Sequence, residues 1–275
     1  MSVSIDELPV AAAQASRELV DGLDVVLGTD LVAAWLHGGT TFPDRPAVPG
    51  DLDIFVVVAR ATAAEGDPMI WKDDRGSRPR RAYSLQRSLA RARGVAIDLN
   101  FVLEADADAS DPPAEAFVVQ RRVVSWPIHR AHWLAGQYVL LHGERPDQLV
   151  VPPTQAEMLR ALDRELEHIE RHVYEGDAAN PGEATYAIWN GCRVVYTVET
   201  GSPVISKRSA GAWALEHLPK RWHSAIQAAG RSYDGVANDE DRELLRLSMA
   251  PFVEMIRARL PITESRPPGP PRWSA

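Results

Sequence analysis

Residues 35–58 read WLHGGTTFPDRPAVPGDLDIFVVV: a short apolar run, a glycine pair, a polar loop and a second apolar run. The second run is rich in β-branched residues and predicts a buried strand. Asp51 and Asp53 stand two residues apart at its start, so both carboxylates point to the same face. Neighbouring carboxylates repel each other unless a cation neutralises them, and hard oxygen ligands suit Mg²⁺. The stretch therefore predicts a magnesium site where this strand begins.

The glycine pair Gly38 and Gly39 predicts a sharp turn whose backbone amides can approach a phosphate closely. Thr40 follows directly and is a candidate hydroxyl donor to the same phosphate. An Asp-x-Asp pair alone is also typical of a solvated strand end. The glycine turn upstream of it favours the interpretation as a metal and phosphate site.

A further strand is predicted over residues 95–103, VAIDLNFVL, in which apolar and polar residues alternate. Asp98 projects from the polar side of this strand. In isolation, such a residue is typical of an exposed strand position.

The glycine turn followed by a strand-borne Asp-x-Asp resembles the nucleotidyltransferase superfamily related to DNA polymerase β. The match is LHGGTT followed by GDLDIFVVV, with Gly39 in place of the superfamily's serine. In that superfamily the third strand lies beside the Asp-x-Asp strand and carries a third carboxylate, a position that Asp98 matches. The resemblance implies that Asp51, Asp53 and Asp98 hold one or two Mg²⁺ ions. It also implies that the turn from Gly38 to Thr40 binds the nucleotide.

Composition and net charge limit the classes of molecule that the chain is expected to bind. The chain has 275 residues, a formal net charge of -8 and no basic run, which argues against a nucleic-acid partner and suits a cationic small molecule. A single cysteine, Cys192, excludes an internal disulfide framework and is expected in a helix core. The N-terminus lacks the features of a signal peptide, and no apolar run is long enough to cross a membrane. We expect a cytoplasmic monomer.

The chain is predicted to be α+β, with a mixed-sheet nucleotidyltransferase domain followed by an all-helical bundle. Val151-Pro-Pro-Thr reads as a linker, and Thr154 with Glu157 forms a capping-box pattern. The predicted domains are residues 1–152 and 153–260, with a proline-rich, disordered tail at 261–275. Strands are expected at 31–37, 52–58 and 95–103, a loop at 104–115, and helices at 5–27, 83–93, 155–174, 184–200, 206–219, 221–233 and 239–260.

The helical half resembles the C-terminal domain of the AadA-type streptomycin/spectinomycin adenylyltransferases. The shared motifs are LHGERPDQLVVP at 141–152, CRVVYTVETG at 192–201, SKRSAGAWA at 206–214 and RSYDG at 231–235. The resemblance implies AMP transfer from ATP to a hydroxyl of an aminoglycoside or aminocyclitol antibiotic held between the two domains. Asp98 would be the general base, where the family has a glutamate. Arg193, Lys207 and Tyr233 match positions that approach the nucleotide or the cleft.

The substrate-recognition stretch departs from the family. Residues 172–182 read HVYEGDAANPG where the family has the tryptophan and aspartate that recognise streptomycin. Tyr174 and Asp177 are the nearest counterparts, and Trp189 is the tryptophan expected to line a cleft. This favours spectinomycin over streptomycin. His168 and His172, four residues apart on a helix rich in Glu and Arg, are expected on a solvated face.

Two other functions stay open. The chain is either a nucleotidyltransferase for another small molecule or for a protein, or a non-catalytic relative that binds nucleotide. The full helical domain favours a small-molecule acceptor. Retention of three carboxylates and Lys207 favours catalysis, since a binder that does not use Mg²⁺ needs no clustered negative charge.

Overall fold

The computed structural model describes residues 2–45, 51–59, 78–109, 125–175 and 181–260. They belong to two compact units, Met1–Pro153 and Thr154–Ala275. The first unit contains a sheet with helices, and the described part of the second contains helices only. The predicted α+β class, a mixed-sheet domain followed by a helical one, is therefore confirmed. The predicted tail at 261–275 lies outside the described residues.

The sheet of the first unit is mixed. Its four strands lie in the order β3-β2-β1-β4, with bounds β1 Leu31–His37, β2 Asp51–Val58, β3 Ala96–Leu103 and β4 Val139–Gly143. β1 is antiparallel to β2 and β4, whereas β2 and β3 run parallel. The helices of this unit are α1 Val10–Leu27, α2 Arg78–Arg93, α3 Glu104–Ala107, α4 Trp126–Leu134 and α5 Pro146–Leu149.

Helices α1 and α2 contribute to the core on one face of the sheet. Leu19 of α1 packs in one apolar cluster with strand residues such as Ile54. Gly22 of α1 lies against Leu85 of α2, where a Cβ would come within 2.3 Å of the leucine Cδ2. The glycine therefore lets the two helices approach closely. Helix α2 follows β2 and precedes β3 in the chain, so it is the crossover that connects these two parallel strands.

The opposite face of the sheet packs on α4 through aromatic rings. Trp133 lies 5.0 Å from Trp35 and 4.9 Å from Phe55 between ring centroids, and Trp126 lies 5.4 Å from Phe55. Such tilted ring pairs add to the apolar burial that holds a helix on a sheet. Because side chains alternate along β2, Asp53 points to the same face as Phe55. The aromatic layer thus lies next to the carboxylates.

The helical unit contains five described helices. Thr154 and Glu157 cap the first of them reciprocally, at 2.6 Å and 3.3 Å, which confirms the predicted capping box. Ser206 caps the third, also as predicted. Cys192 is fully buried, as expected of a core residue. The helices are α6 Gln155–Glu175, α7 Pro181–Thr200, α8 Lys207–His217, α9 His223–Tyr233 and α10 Asp239–Arg257.

None of the described helices combines the length and the apolar content that a membrane crossing requires.

Some of the observed helices begin at residues other than the predicted ones. The helix predicted over residues 5–27 is interrupted: a 3₁₀ turn spans Ile5–Glu7, and α1 starts only at Val10. The cause is Pro9, which disfavours the helical conformation of the preceding residue, and Leu8 is accordingly extended. The loop predicted at 104–115 begins instead with the short helix α3, and its residues after 109 lie outside the described ranges.

Arg257 joins α10 to α6 through two carboxylates. Its guanidinium donates to Asp163 and, at 2.6 and 2.7 Å, to both oxygens of Glu170. The arginine side chain is only 12% exposed, so the pairs are partly shielded from solvent. Removing the cation would leave two carboxylates facing each other.

Arg257→Met is therefore expected to lower the free energy of unfolding by about 2–3 kcal/mol, less than for a fully buried pair. Arg246→Met is the matched control, because Arg246 pairs with Glu243 on an exposed helix surface. The control should leave stability close to that of the wild type, because an exposed ion pair is screened by solvent. Urea unfolding of the three proteins checks this, and equal losses for both variants would contradict it.

Candidate active site

Three carboxylates meet at one end of the sheet. The parallel pairing of β2 and β3 sets Asp53 directly beside Asp98, and Asp51 lies on the same face two residues before Asp53. One oxygen from each carboxylate lies within 4.8 Å of the other two. Asp51 and Asp98 are exposed and Asp53 is half-buried. The cluster is thus open to solvent, and its oxygen-only donor set fits Mg²⁺.

The glycine turn leads directly to this cluster. β1 ends at His37, which pairs with Asp53 in the register of β1 and β2. Gly38 then adopts φ 75°, in the left-handed region that favours glycine. A Cβ at Gly38 would lie 1.9 Å from Oδ2 of Asp53. The turn therefore requires glycine both for its backbone and for the space that the Asp53 carboxylate occupies.

Both threonines of the turn hold it in place, Thr40 by a bond to the sheet and Thr41 by a bond within the turn. Thr40 Oγ1 donates to the backbone carbonyl of Asp51 at 3.2 Å, and Thr41 Oγ1 donates to the carbonyl of Gly38 at 2.9 Å. Both side chains are buried. Thr40 thus links the turn to the first carboxylate residue of β2, and its assignment to a phosphate contact stays a prediction. Gly39 is exposed, and no atom lies within 4 Å of a Cβ built there.

Gly38→Ala is expected to reduce the rate of whatever reaction depends on the three carboxylates at least about a hundredfold. The reason is that the new methyl group displaces the Asp53 carboxylate from the cluster. The left-handed φ adds a loss of about 1–2 kcal/mol in stability. Gly39→Ala is the matched control, since its Cβ enters open space. Steady-state rates and thermal melts of both variants check the prediction. A Gly38→Ala enzyme with the wild-type rate would contradict it.

A buried histidine lies behind the carboxylates and was not singled out from the sequence. His37 packs on Phe55 and Trp133, with ring centroids at 6.1 and 5.4 Å. Burial, together with the nearby His132, lowers the pKa of His37 to about 3, so its ring is neutral at ordinary pH. Among the described residues, its Nε2 has no hydrogen-bond partner. Its position directly before the glycine pair is the one sequence signal that marks it.

In the helical unit, two of the residues predicted to bind the nucleotide lie near Tyr186 of α7. The ammonium group of Lys207 lies 5.6 Å from the centroid of the Tyr186 ring, within cation–π range. Burial and the adjacent Glu165 raise the pKa of Tyr186, and Arg193 is close enough to oppose them. Lys207 is also the first residue of α8, where the helix dipole favours anions. Tyr186 was not among the predicted residues.

Trp189 and Tyr233 form a second pair in this unit. Their rings lie 4.6 Å apart, and the indole Nε1 of Trp189 donates to the carbonyl of Ile226 at 3.5 Å. Trp189 is 4% exposed and Tyr233 is 36% exposed. The tryptophan therefore supports a tyrosine that is open to solvent, and its contact with a substrate stays a prediction.

The remaining predicted substrate residues are Tyr174 and Asp177. Tyr174 is exposed near the C-terminal end of α6. Asp177 lies outside the described residues. The structure thus brings together the three carboxylates with the glycine turn, and Lys207 and Arg193 with Tyr186. The substrate role of Tyr174 stays a prediction.

Comparisons with known proteins bear on the helical unit and on the fold. Residues 148–259 match the family model described as "Aminoglycoside adenylyltransferase, C-terminal domain". The fold is similar to that of the spectinomycin adenyltransferase AAD(9) from Enterococcus faecialis, whose crystal structure was solved with ATP and spectinomycin. The TM-score is 0.65 at 17% sequence identity, and the match covers 90% of this chain and 98% of that one. The predicted resemblance of the helical half to the AadA-type enzymes is therefore confirmed over residues 148–259, and the structural likeness extends the agreement in fold to most of the chain.

Proposed function

We propose that this protein is an adenylyltransferase that moves AMP from ATP to a hydroxyl of an aminocyclitol antibiotic, with spectinomycin as the first candidate. The observation that carries the proposal is the cluster of Asp51, Asp53 and Asp98 beside a glycine turn. The family match of the helical unit points to the same chemistry. Streptomycin is a weaker candidate, because residues 172–182 lack the family's tryptophan.

The reaction forms a bond between the substrate oxygen and the α-phosphorus and breaks the bond from that phosphorus to pyrophosphate. Asp51 and Asp53 would hold Mg²⁺, which when bound neutralises charge on the triphosphate. Asp98 is proposed to accept the proton of the attacking hydroxyl. A metal ion bound to the same carboxylate would lower its basicity. Its exposure leaves room for an acceptor to approach.

The helical unit supplies positive charge to the same reaction. Lys207 and Arg193 are proposed to contact the phosphates, and Tyr233 the nucleotide. The placement of Lys207 at the start of α8 supports this, since the helix N-terminus and the ammonium group both attract anions. The predicted location of the acceptor between the two units, the contributions of Tyr174, Asp177 and Trp189, and the monomeric state stay predictions.

Pyrophosphate release from ATP and Mg²⁺ tests the proposal, measured with spectinomycin, streptomycin and unrelated aminoglycosides. We expect release with spectinomycin, little with streptomycin, and none for the Asp51→Asn variant. If no antibiotic stimulates release, calorimetry with Mg²⁺ and ATP separates the alternatives. Binding without release would indicate a different acceptor, whereas the absence of binding would indicate a non-catalytic relative.

A further inference from the structure

Two histidines of α6 lie one helical turn apart at its boundary with α7. The sequence placed His168 and His172 on a solvated face, and this prediction is wrong. Both side chains are half-buried, and their ring centroids lie 5.9 and 5.3 Å from that of Tyr186 in α7. The i, i+4 spacing puts them on one face of the helix, and that face packs on its neighbour.

The Nε2 atoms of the two rings lie 3.2 Å apart, and the ring planes are nearly perpendicular. Two Zn–N bonds of about 2.0–2.1 Å at a tetrahedral angle place their nitrogens about 3.3–3.4 Å apart. The observed spacing is close to that value without any movement of the backbone. We propose that His168 and His172 form a binding site for a divalent transition-metal ion such as Zn²⁺, in addition to the carboxylate cluster of the other unit.

A carboxylate orients one of the two ligands. Nδ1 of His172 donates to Oε2 of Glu183, on the first turn of α7. This bond leaves the lone pair of the neutral ring on Nε2, the atom that faces His168. Histidines that bind metals commonly donate their other ring nitrogen to a carboxylate, which fixes the tautomer and strengthens the ligand. His172 and Glu183 are 35% and 24% exposed, so an ion from solvent can reach them.

Without a metal, the same geometry is an N–H···N hydrogen bond between the two imidazoles. When a metal ion binds, the single proton of the neutral His168 ring moves from Nε2 to Nδ1, which frees the Nε2 lone pair for the metal.

The two sites of the protein would select different metals. Imidazole nitrogens suit Zn²⁺, Ni²⁺ and Cu²⁺, whereas the oxygen cluster suits Mg²⁺. In the described part of the chain, the three aspartates are the one group of at least three ligands that meets at a point, so water completes the shell of the histidine site. With two protein ligands, the expected dissociation constant for Zn²⁺ is about 1–100 μM.

Calorimetric titration of the full chain with Zn²⁺, without a histidine tag and in excess Mg²⁺, tests the proposal. We expect one Zn²⁺ per chain, with affinity reduced at least tenfold in His168→Ala and in His172→Ala. Glu183→Gln should reduce affinity by roughly tenfold through the orientation of His172. His217→Ala is the control, because this exposed histidine stacks on Trp213 elsewhere in the unit and should not matter.

His168→Phe keeps an aromatic ring against Tyr186 and guards against a loss of binding caused by unfolding, which thermal melts monitor directly. Three results would overturn the proposal. The first is no binding of Zn²⁺ at concentrations up to roughly 1 mM, which corresponds to a binding free energy weaker than about 4 kcal/mol. The others are binding that neither histidine substitution changes, and binding that is lost only in Asp51→Asn. None of these depends on adenylyl transfer, so the proposed function and the histidine site can fail separately.

Discussion

Asp53→Asn is expected to lower the rate of AMP transfer by about 10²–10⁴-fold while leaving the fold intact. Asp53 is the central member of the carboxylate cluster, because it pairs with Asp98 across the strands and follows Asp51 on the same face. The amide has nearly the same shape but no charge, so the loss measures charge alone. Metal-assisted charge neutralisation is worth several kcal/mol, or about 10²–10⁴ in rate.

The same variant should respond differently to Mg²⁺ in a thermal melt. In the wild-type protein, Mg²⁺ with ATP is expected to raise the melting temperature, since a ligand that binds only the folded state stabilises it. Asp53→Asn should lose most of that increase without melting earlier in the absence of metal, because one of three mutually repelling charges is gone. Asp21→Asn, on the exposed surface of α1, removes the same charge elsewhere and is the control. A full Mg²⁺ response in Asp53→Asn would remove this residue from the metal site.

The central strands were predictable from sequence because their signals are local. β1 and β2 are apolar runs bounded by glycine or aspartate, and β3 alternates from residue 96 to residue 101, where its buried residues occupy every second position. The order of the strands in the sheet depends instead on pairing between distant segments, which local patterns do not show. Nothing in the sequence around Asp98 states that it pairs with Asp53, and only the family resemblance placed the two together.

The edge strand β4 was missed because its own residues give a weak strand signal. Its burial pattern does not alternate, and Leu140 is 39% exposed. Pairing with β1 defines it, and that pairing shifts in register between Ala34 and Trp35. At its end, Gly143 approaches the carbonyl of Val32 so closely that a Cβ would lie 1.8 Å away. Such an approach depends on the partner strand and cannot be read from a five-residue segment.

The polar residues that the sequence misjudged depend on which helix faces which. His168 and His172 lie among Glu and Arg residues, and periodicity alone places them on a polar face. In the structure that polar face is the one that meets Tyr186 and Glu183 of α7. A polar interface between helices has the same sequence pattern as a solvated surface, and tertiary contacts alone separate the two.

Asp98→Asn is expected to reduce turnover by roughly 10²–10⁴, the range for loss of a general base. Its binding of Mg²⁺ and ATP should stay within about threefold of the wild type, since Asp51 and Asp53 remain. Calorimetry and single-turnover rates on the same preparation separate these effects. If nucleotide binding falls as far as the rate, Asp98 acts chiefly as a metal ligand. A wild-type rate would exclude both roles.

Two further variants test whether the reaction needs a carboxylate at residue 98 or is sensitive to any substitution on this face of β3. Asp98→Glu keeps the charge and adds one methylene, and because Asp98 is exposed the longer side chain has room. We expect it to retain the rate within about tenfold, since proton transfer needs the carboxylate within hydrogen-bond reach of the hydroxyl. Asn100→Ala changes the next residue on the same face of β3 and should leave both rate and binding unchanged. A loss in Asp98→Glu as large as in Asp98→Asn would mean that the shorter side chain sets the distance to the hydroxyl, and that the reaction requires the aspartate itself.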